Sequence, residues 1–217
     1  NDRELACAPF NSDEGQDYYK AMACASNMAF ANRQVITHRI REAFSSIFKK
    51  TQEQMEMNLV YDVAHNIAKV EEHKIDNKIK KVVVHRKGAT RAFPPKHREL
   101  CPKYRSVGQP VILGGSMETG SHLLVGTQKA MDETFGSTAH GSGRTMSRTK
   151  AKQEFKGKEL QEQMMKKGIY VRSSSMNGLA EEAGKAYKDI NSVVDILDAY
   201  GIARKVVGFN PIGNVKG

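Results

Sequence analysis

His140 stands in Ser137-Thr138-Ala139-His140-Gly141-Ser142-Gly143-Arg144, where small residues on both sides leave the imidazole accessible. A neutral imidazole attacks a phosphorus centre at pH 7 without a separate base, which a serine hydroxyl does not readily do. A loop histidine is also an ordinary polar residue, and the sequence alone leaves both readings open. His65, followed by Asn66, closes the alternating run Leu59-Val60-Tyr61-Asp62-Val63-Ala64-His65-Asn66. Imidazole suits zinc, manganese or iron, but one histidine is not a metal site. His73, His85, His97 and His122 show no ligand spacing. Eight of the 18 glycines fall at Gly108, Gly114, Gly115, Gly120, Gly126, Gly136, Gly141 and Gly143, interleaved with Ser116, Ser121 and Ser142. Glycine lets backbone amides approach an anion and serine adds hydroxyl donors, although the same composition also makes tight turns. Neither the three-glycine dinucleotide loop nor a Gly-Lys-Ser/Thr phosphate loop is present. Arg144, Arg148 and Lys152 recur every four residues, which on a helix makes a basic stripe for phosphate or for solvent.

The elements that must position these residues follow from periodicity. Helical spacing of small residues predicts a helix over 16–34. A second is expected from the stripe Ile36, Ile40, Ala43, Phe44 and Ile47. The alternation at 59–66 predicts a strand with His65 on its apolar face. Asp76-Asn77 reads as a turn into a strand around Val82-Val83-Val84, and Phe93-Pro94-Pro95 interrupts regular structure. Strands are expected at 110–113, 122–125 and 169–172. A charged helical region spans 145–165 with a break at Gly157. A last helix starts at Ile190 and stops at Gly201. No repeat or low-complexity linker divides the chain. The expectation is one unit over 1–217 of the mixed α/β (α+β) class.

The 217 residues carry 34 Lys plus Arg against 24 Asp plus Glu, a formal charge of +10. That balance favours polyanionic partners, since Lys and Arg that neutralise phosphates release counterions. No apolar run reaches the roughly 20 residues of a membrane-spanning helix. Cys7, Cys24 and Cys101 are widely spaced with no Cys-x-x-Cys pair, which points to a reduced, cytoplasmic setting. The chain opens on Asn1 with no initiator Met and no signal-like stretch, so the expectation is a portion of a longer protein.

Four blocks, in order, carry a resemblance: Val60-Tyr61-Asp62-Val63-Ala64-His65-Asn66-Ile67-Ala68-Lys69, His85-Arg86-Lys87-Gly88-Ala89-Thr90-Arg91-Ala92-Phe93-Pro94, Gly115-Ser116-Met117 and His140-Gly141-Ser142-Gly143-Arg144. With the terminal Val215-Lys216-Gly217, the sequence resembles the RtcB family of RNA-splicing ligases. The resemblance implies an RtcB-like fold of central mixed or antiparallel sheets flanked by helices, incomplete in this chain. It also implies a ligase that uses GTP and two Mn2+ ions. Such an enzyme joins RNA ending in a 2′,3′-cyclic phosphate or 3′-phosphate to RNA with a 5′-hydroxyl, as in joining tRNA halves or repairing broken RNA.

By that resemblance His140 is the nucleophile that takes GMP, and His65 is a manganese ligand at the nucleotide. Asn66, Gly114, Gly115, Ser116, Met117, Ser121, Gly141, Ser142 and Gly143 match nucleotide-contacting positions, Tyr187 and Lys216 hold the guanine, and Arg144 and Arg148 take RNA or anions. The family's amino-terminal metal motifs do not occur here. Ala139, Ser142 and Glu118 replace a usual Cys, Ala and Gly, and Glu118 brings a negative charge toward the phosphate loop. The expectation is the carboxyl-terminal, nucleophile-bearing part of such a ligase, weak without the amino-terminal half in cis or trans and open to an archease-like activator. The alternative is a non-catalytic RNA-binding or structural subunit.

Overall fold

Ser12 starts the first helix by accepting a hydrogen bond from the Gly15 amide, and Asp13 and Glu14 complement the positive end of the helix dipole. The computed structural model describes residues 2–210. Where two helices were expected, one continuous helix, α1, runs Asp13–Phe48 and stops at Lys49 in the left-handed region. No proline occurs between Ser12 and Lys49, so nothing breaks the ladder between the two apolar stripes.

The expected strand over 59–66 does not form. Residues 57–64 run without regular structure, because side chains capture their carbonyls before a neighbouring strand can. Arg41 donates to Met57 (2.8 Å), Arg33 to Val63 (3.1 Å) and the Tyr104 hydroxyl to Val60 (2.5 Å). The strand instead begins at Asn66, as β1 (Asn66–Ile75), and pairs antiparallel with β2 (Lys78–Lys87). Asp76 and Asn77 both have positive φ, 52° and 61°, the primed turn that matches strand twist.

Two further sheets occur among the described residues. Short β3 (Ala89–Arg91) pairs with β6 (Ser137–Ala139), and β4 (Pro110–Gly114), β5 (Ser121–Gly126) and β7 (Ala203–Phe209) form an antiparallel trio in the order β4-β5-β7. α2 (Gln128–Glu133) links β5 to β6. α6 (Ile190–Ala199) packs Ile190 and Val194 on Leu113, Leu124 and Ala203, which makes the main core. α3 (Arg148–Glu154), α4 (Gly157–Lys166) and α5 (Met176–Glu181) form a second layer, with Gly157 at the predicted break. The strand expected at 169–172 is absent. Ile169 and Val171 pack onto Leu160, Met164 and Leu179, and the Val171 carbonyl takes its hydrogen bond from the Gln161 side chain (2.7 Å). The class is therefore the expected mix of helices and small antiparallel sheets, and none of the described helices is long and apolar enough to cross a membrane.

One buried ion pair ties the hairpin to β6. Arg86 and Glu71 side chains are 1% and 2% exposed and meet through two bonds of 2.7 and 2.9 Å. The buried His73 ring adds a third contact to Glu71 at 2.9 Å. Arg86 then reaches across to β6, donating to the Ser137 hydroxyl (2.9 Å) and to the Phe135 carbonyl (2.8 Å). Burial alone would raise Glu71, but the bonds from Arg86 and His73 outweigh it and hold the carboxyl below its ordinary 4.5. The stability this contributes is complete above that value and drains as pH falls through the lowered one. Glu71→Gln strands the guanidinium, so urea denaturation is expected to show a loss of about 3–5 kcal/mol at neutral pH and a flatter decline in acid than the parent chain.

Candidate nucleotide site

β6 ends at Ala139 and hands the chain to His140, whose ring is exposed. Two flanking segments fix that ring. Its Nδ1 lies 3.0 Å from the Gly88 carbonyl, which can only accept, so Nδ1 carries the proton. Nε2 is then the lone-pair nitrogen, turned away from the bond. Gly88 can offer its carbonyl there because its φ is +69°, a conformation that strains any other residue. The Gly88 amide in turn donates to the His65 carbonyl (2.9 Å), which ties the start of β1 to the end of β2.

This arrangement brings the two candidate histidines together. The His65 and His140 rings stack with centroids 4.5 Å apart and planes 16° apart. Burial first, then the neighbouring His140, Arg33 and Lys87, push His65 down from its ordinary value, so it favours the neutral form that can ligate or accept. Asn66, the first residue of β1, sits at the same junction with its side-chain oxygen 3.3 Å from the Gly88 amide.

The glycine loops close on the other side. Gly114 donates to the His140 carbonyl (3.3 Å) and accepts from the Ser142 amide (2.9 Å), so Gly114 and Gly141 run side by side. At Gly115 a Cβ would stand 2.5 Å from Thr119 Oγ1 and 2.7 Å from the Gly120 carbonyl, so the turn admits only glycine. Ser116 is buried in that turn, with its hydroxyl 3.1 Å from Thr119 Oγ1. Ser121 pairs with Gly114 across β4 and β5, whereas Met117 turns toward the core of α4 and α5. Ser142 is 4% exposed and its hydroxyl has no hydrogen-bond partner among the described residues. Such an orphan beside the candidate nucleophile suits a polar ligand atom or a water.

The basic stripe is not as expected. α3 begins at Arg148, so Arg144 lies in the preceding loop, donating to the Glu181 carbonyl (2.7 Å) and the Tyr187 hydroxyl (2.9 Å). Its guanidinium also covers the Tyr187 ring at 4.8 Å. Arg148 and Lys152 do share a helix, yet both face the Glu181 carboxylate, at 3.5 and 2.9 Å. Tyr187 donates to Glu182 (2.6 Å), and burial together with that carboxylate pushes the phenol up to about 12.

A family model described as tRNA-splicing ligase RtcB matches residues 1–217. The chain belongs to the RtcB family. It is 57% identical to the tRNA-splicing ligase RtcB of Methanococcus maripaludis over 216 residues, covering all of this chain and 45% of that protein. Identity to the protein of the same name from Methanocaldococcus jannaschii is also 57%, over 22% of its length. The RNA-splicing ligase RtcB homolog 1 of Entamoeba dispar is 50% identical over 40% of its length. The chain therefore spans less than half of these curated relatives.

Membership in the RtcB family frames the remaining residues. Glu118 does not load the loop with free negative charge, because Lys167 at the end of α4 meets its carboxylate at 2.5 Å. Lys216 lies outside the described residues. No group of three or more His, Cys, Asp or Glu gathers at a metal-binding distance among the described residues. His65 offers one imidazole only, so these residues do not by themselves fit a manganese ion. Sequence reasoning missed Gly88 as the partner of His140. The residue was visible in Arg86-Lys87-Gly88-Ala89, but only folding shows where its carbonyl points. Nitrogen NMR of the His140 ring is expected to show Nδ1 protonated and Nε2 bare as the major tautomer. A dominant Nε2–H form would refute this geometry.

Proposed function

We propose that this chain is the nucleophile-bearing part of an RNA ligase that takes guanylate from GTP onto His140 Nε2. The observation that supports the reading is the Nδ1 bond to Gly88, which leaves Nε2 exposed with its lone pair free. In the first step Nε2 attacks the α-phosphorus of GTP. The Nε2–P bond forms, the bond to the bridging oxygen breaks, and pyrophosphate leaves with that electron pair. Nδ1 keeps its proton throughout, so the ring becomes an imidazolium whose charge the Gly88 carbonyl stabilises. That charge makes the imidazole a good leaving group. An oxygen of the RNA 3′-phosphate then attacks the guanylate phosphorus, and His140 departs neutral. The 5′-hydroxyl of a second RNA finally attacks the activated 3′-phosphate, giving up its proton to solvent as the new P–O bond forms, and GMP leaves with the electron pair of the broken P–O bond.

The chain's own groups supply positioning. The Gly114–Gly115 and Gly141–Gly143 backbones, Ser116, Ser121 and the orphan Ser142 hydroxyl surround the phosphates in this reading, with Asn66 at the His65 junction. Among the described residues His65 is the one assigned to manganese, and it would supply a single imidazole to an ion completed by other ligands. An amino-terminal RtcB portion is thus the implied partner, with RNA as substrate and an archease-like protein as activator. The three free, exposed cysteines accord with a reducing, cytoplasmic setting. The rival reading is a non-catalytic RNA-binding or structural subunit.

Labelling separates the two. The chain is incubated with α-labelled GTP and manganese, with and without the amino-terminal portion of an RtcB protein. Acid-labile, base-stable label on the chain is expected, greatest with the partner and lost in His140→Ala. Label that survives in His140→Ala overturns the assignment of the nucleophile. RNA binding with no label under either condition supports the subunit reading.

A further inference from the structure

Behind residues 61–64, the stretch that leads into His65, lies a small cavity of about 50 Å³ lined by Lys69, Arg86, Arg91, Asp62 and Gln109. Asp62 is the carboxylate in its lining, and it and the two carboxylates bonded to the lining arginines are already committed. Arg33 takes Asp62, Arg86 takes Glu71, and Arg91 holds Glu99 at 2.8 Å. Lys69 is different: among the described residues its ammonium makes no hydrogen bond and no ion pair. Burial, then the like charge of Arg91, push it below its ordinary value, and the carboxylates of Glu99 and Glu71, each bonded to its own arginine, act on it only at a distance and do not make up the loss.

Gln109 supplies the second, independent sign. It is fully buried, and its Oε1 accepts from Arg91 Nε at 3.1 Å and from the Phe93 amide at 3.5 Å. Both neighbours are donors, so the amide orientation is forced and Nε2 must point the other way. That Nε2 has no partner. A buried donor left unpaired costs about 1–3 kcal/mol, and here it shares a wall with an unpaired cation. The space is several times the roughly 10–15 Å³ that one water needs, enough for a small tetrahedral anion and too little for a nucleobase.

We propose that this cavity is a binding site for a phosphate-class oxyanion, held by the Lys69 ammonium, Gln109 Nε2 and the remaining face of Arg91. Such an anion braces residues 61–64 against β1, and so braces the backbone that presents His65. Two sources share this chemistry, a phosphodiester of a bound RNA strand and free inorganic phosphate. The RNA source rests on the ligase reading, while the site itself does not.

Calorimetric titration of the chain with inorganic phosphate, against chloride at matched ionic strength, tests the site. Phosphate is expected to bind and to raise the melting temperature beyond chloride. Lys69→Gln is expected to weaken phosphate about tenfold or more, and Lys69→Arg to retain it. No phosphate binding by the parent chain, or equal affinity in Lys69→Gln, overturns the proposal. A 3′-phosphate oligoribonucleotide then distinguishes the sources. Competition by phosphate with a salt slope lower by about one in Lys69→Gln identifies an RNA phosphodiester. Phosphate binding lost with RNA affinity unchanged identifies the free ion. Failure to guanylylate His140 would leave the phosphate titration untouched, so the two readings fail separately.

Discussion

A guanidinium buried at the base of a hairpin decides where the candidate nucleophile stands. Arg86 has left water almost completely, and a buried charge is tolerated only when its partners and hydrogen bonds are all in place. Glu71 and His73 meet that need from β1, while Ser137 and Phe135 meet it from the approach to β6. The hairpin and β6 therefore cannot slide past each other without breaking charged, desolvated bonds. One residue beyond that clamp on β6 lies the Thr138 pairing with Thr90, and two residues further comes His140.

Rigidity of this kind matters more for a histidine nucleophile than for most side chains. An imidazole has two nitrogens, and only one can attack while the other holds the proton. The bond to Gly88 selects between them, and the same β3–β6 register that aligns Ala89 with Ala139 places that carbonyl opposite the ring. From the other side, Gly114 grips the His140 backbone. Backbone and ring are thus held by different strands. The orientation of His140 becomes a property of sheet register rather than of local side-chain packing.

The elements were legible in the sequence where local chemistry dominates. Asp76-Asn77 forms the primed turn its residues favour, the helical region is interrupted at Phe155 and Lys156, just before the expected Gly157, and Gly201 ends α6 with φ +69°. Reading failed where side chains from afar overrule local pattern. The alternation of residues 59–65 looks like a strand, but Arg33, Arg41 and Tyr104 take the carbonyls that a ladder would need. The stripe Arg144, Arg148 and Lys152 assumed a helix that starts four residues later, and Glu181, distant in sequence, absorbs two of its charges. At the site, the chemical character of His140 and the glycine loops was visible. Its contact with His65 was not, since the two are brought together by Gly88, through hydrogen bonds that no spacing rule encodes.

Phosphoryl transfer makes two separable demands: the attacking atom must be aligned, and the charge on the phosphates must be balanced. The described residues meet the first locally, with short bonds among β2, β4 and β6. They meet the second in part. His65 is biased toward neutrality, Arg144 is spent on Tyr187 and the Glu181 carbonyl, and Glu181 takes Arg148 and Lys152. Two other lysines near the candidate nucleophile, Lys87 beside Gly88 and Lys188 beside Gly143, carry no ion pair among the described residues. Under the proposed function, alignment is built into this segment, and the rate of the first step depends on how far Lys87, Lys188 and any further part of the protein balance the charge of the phosphates.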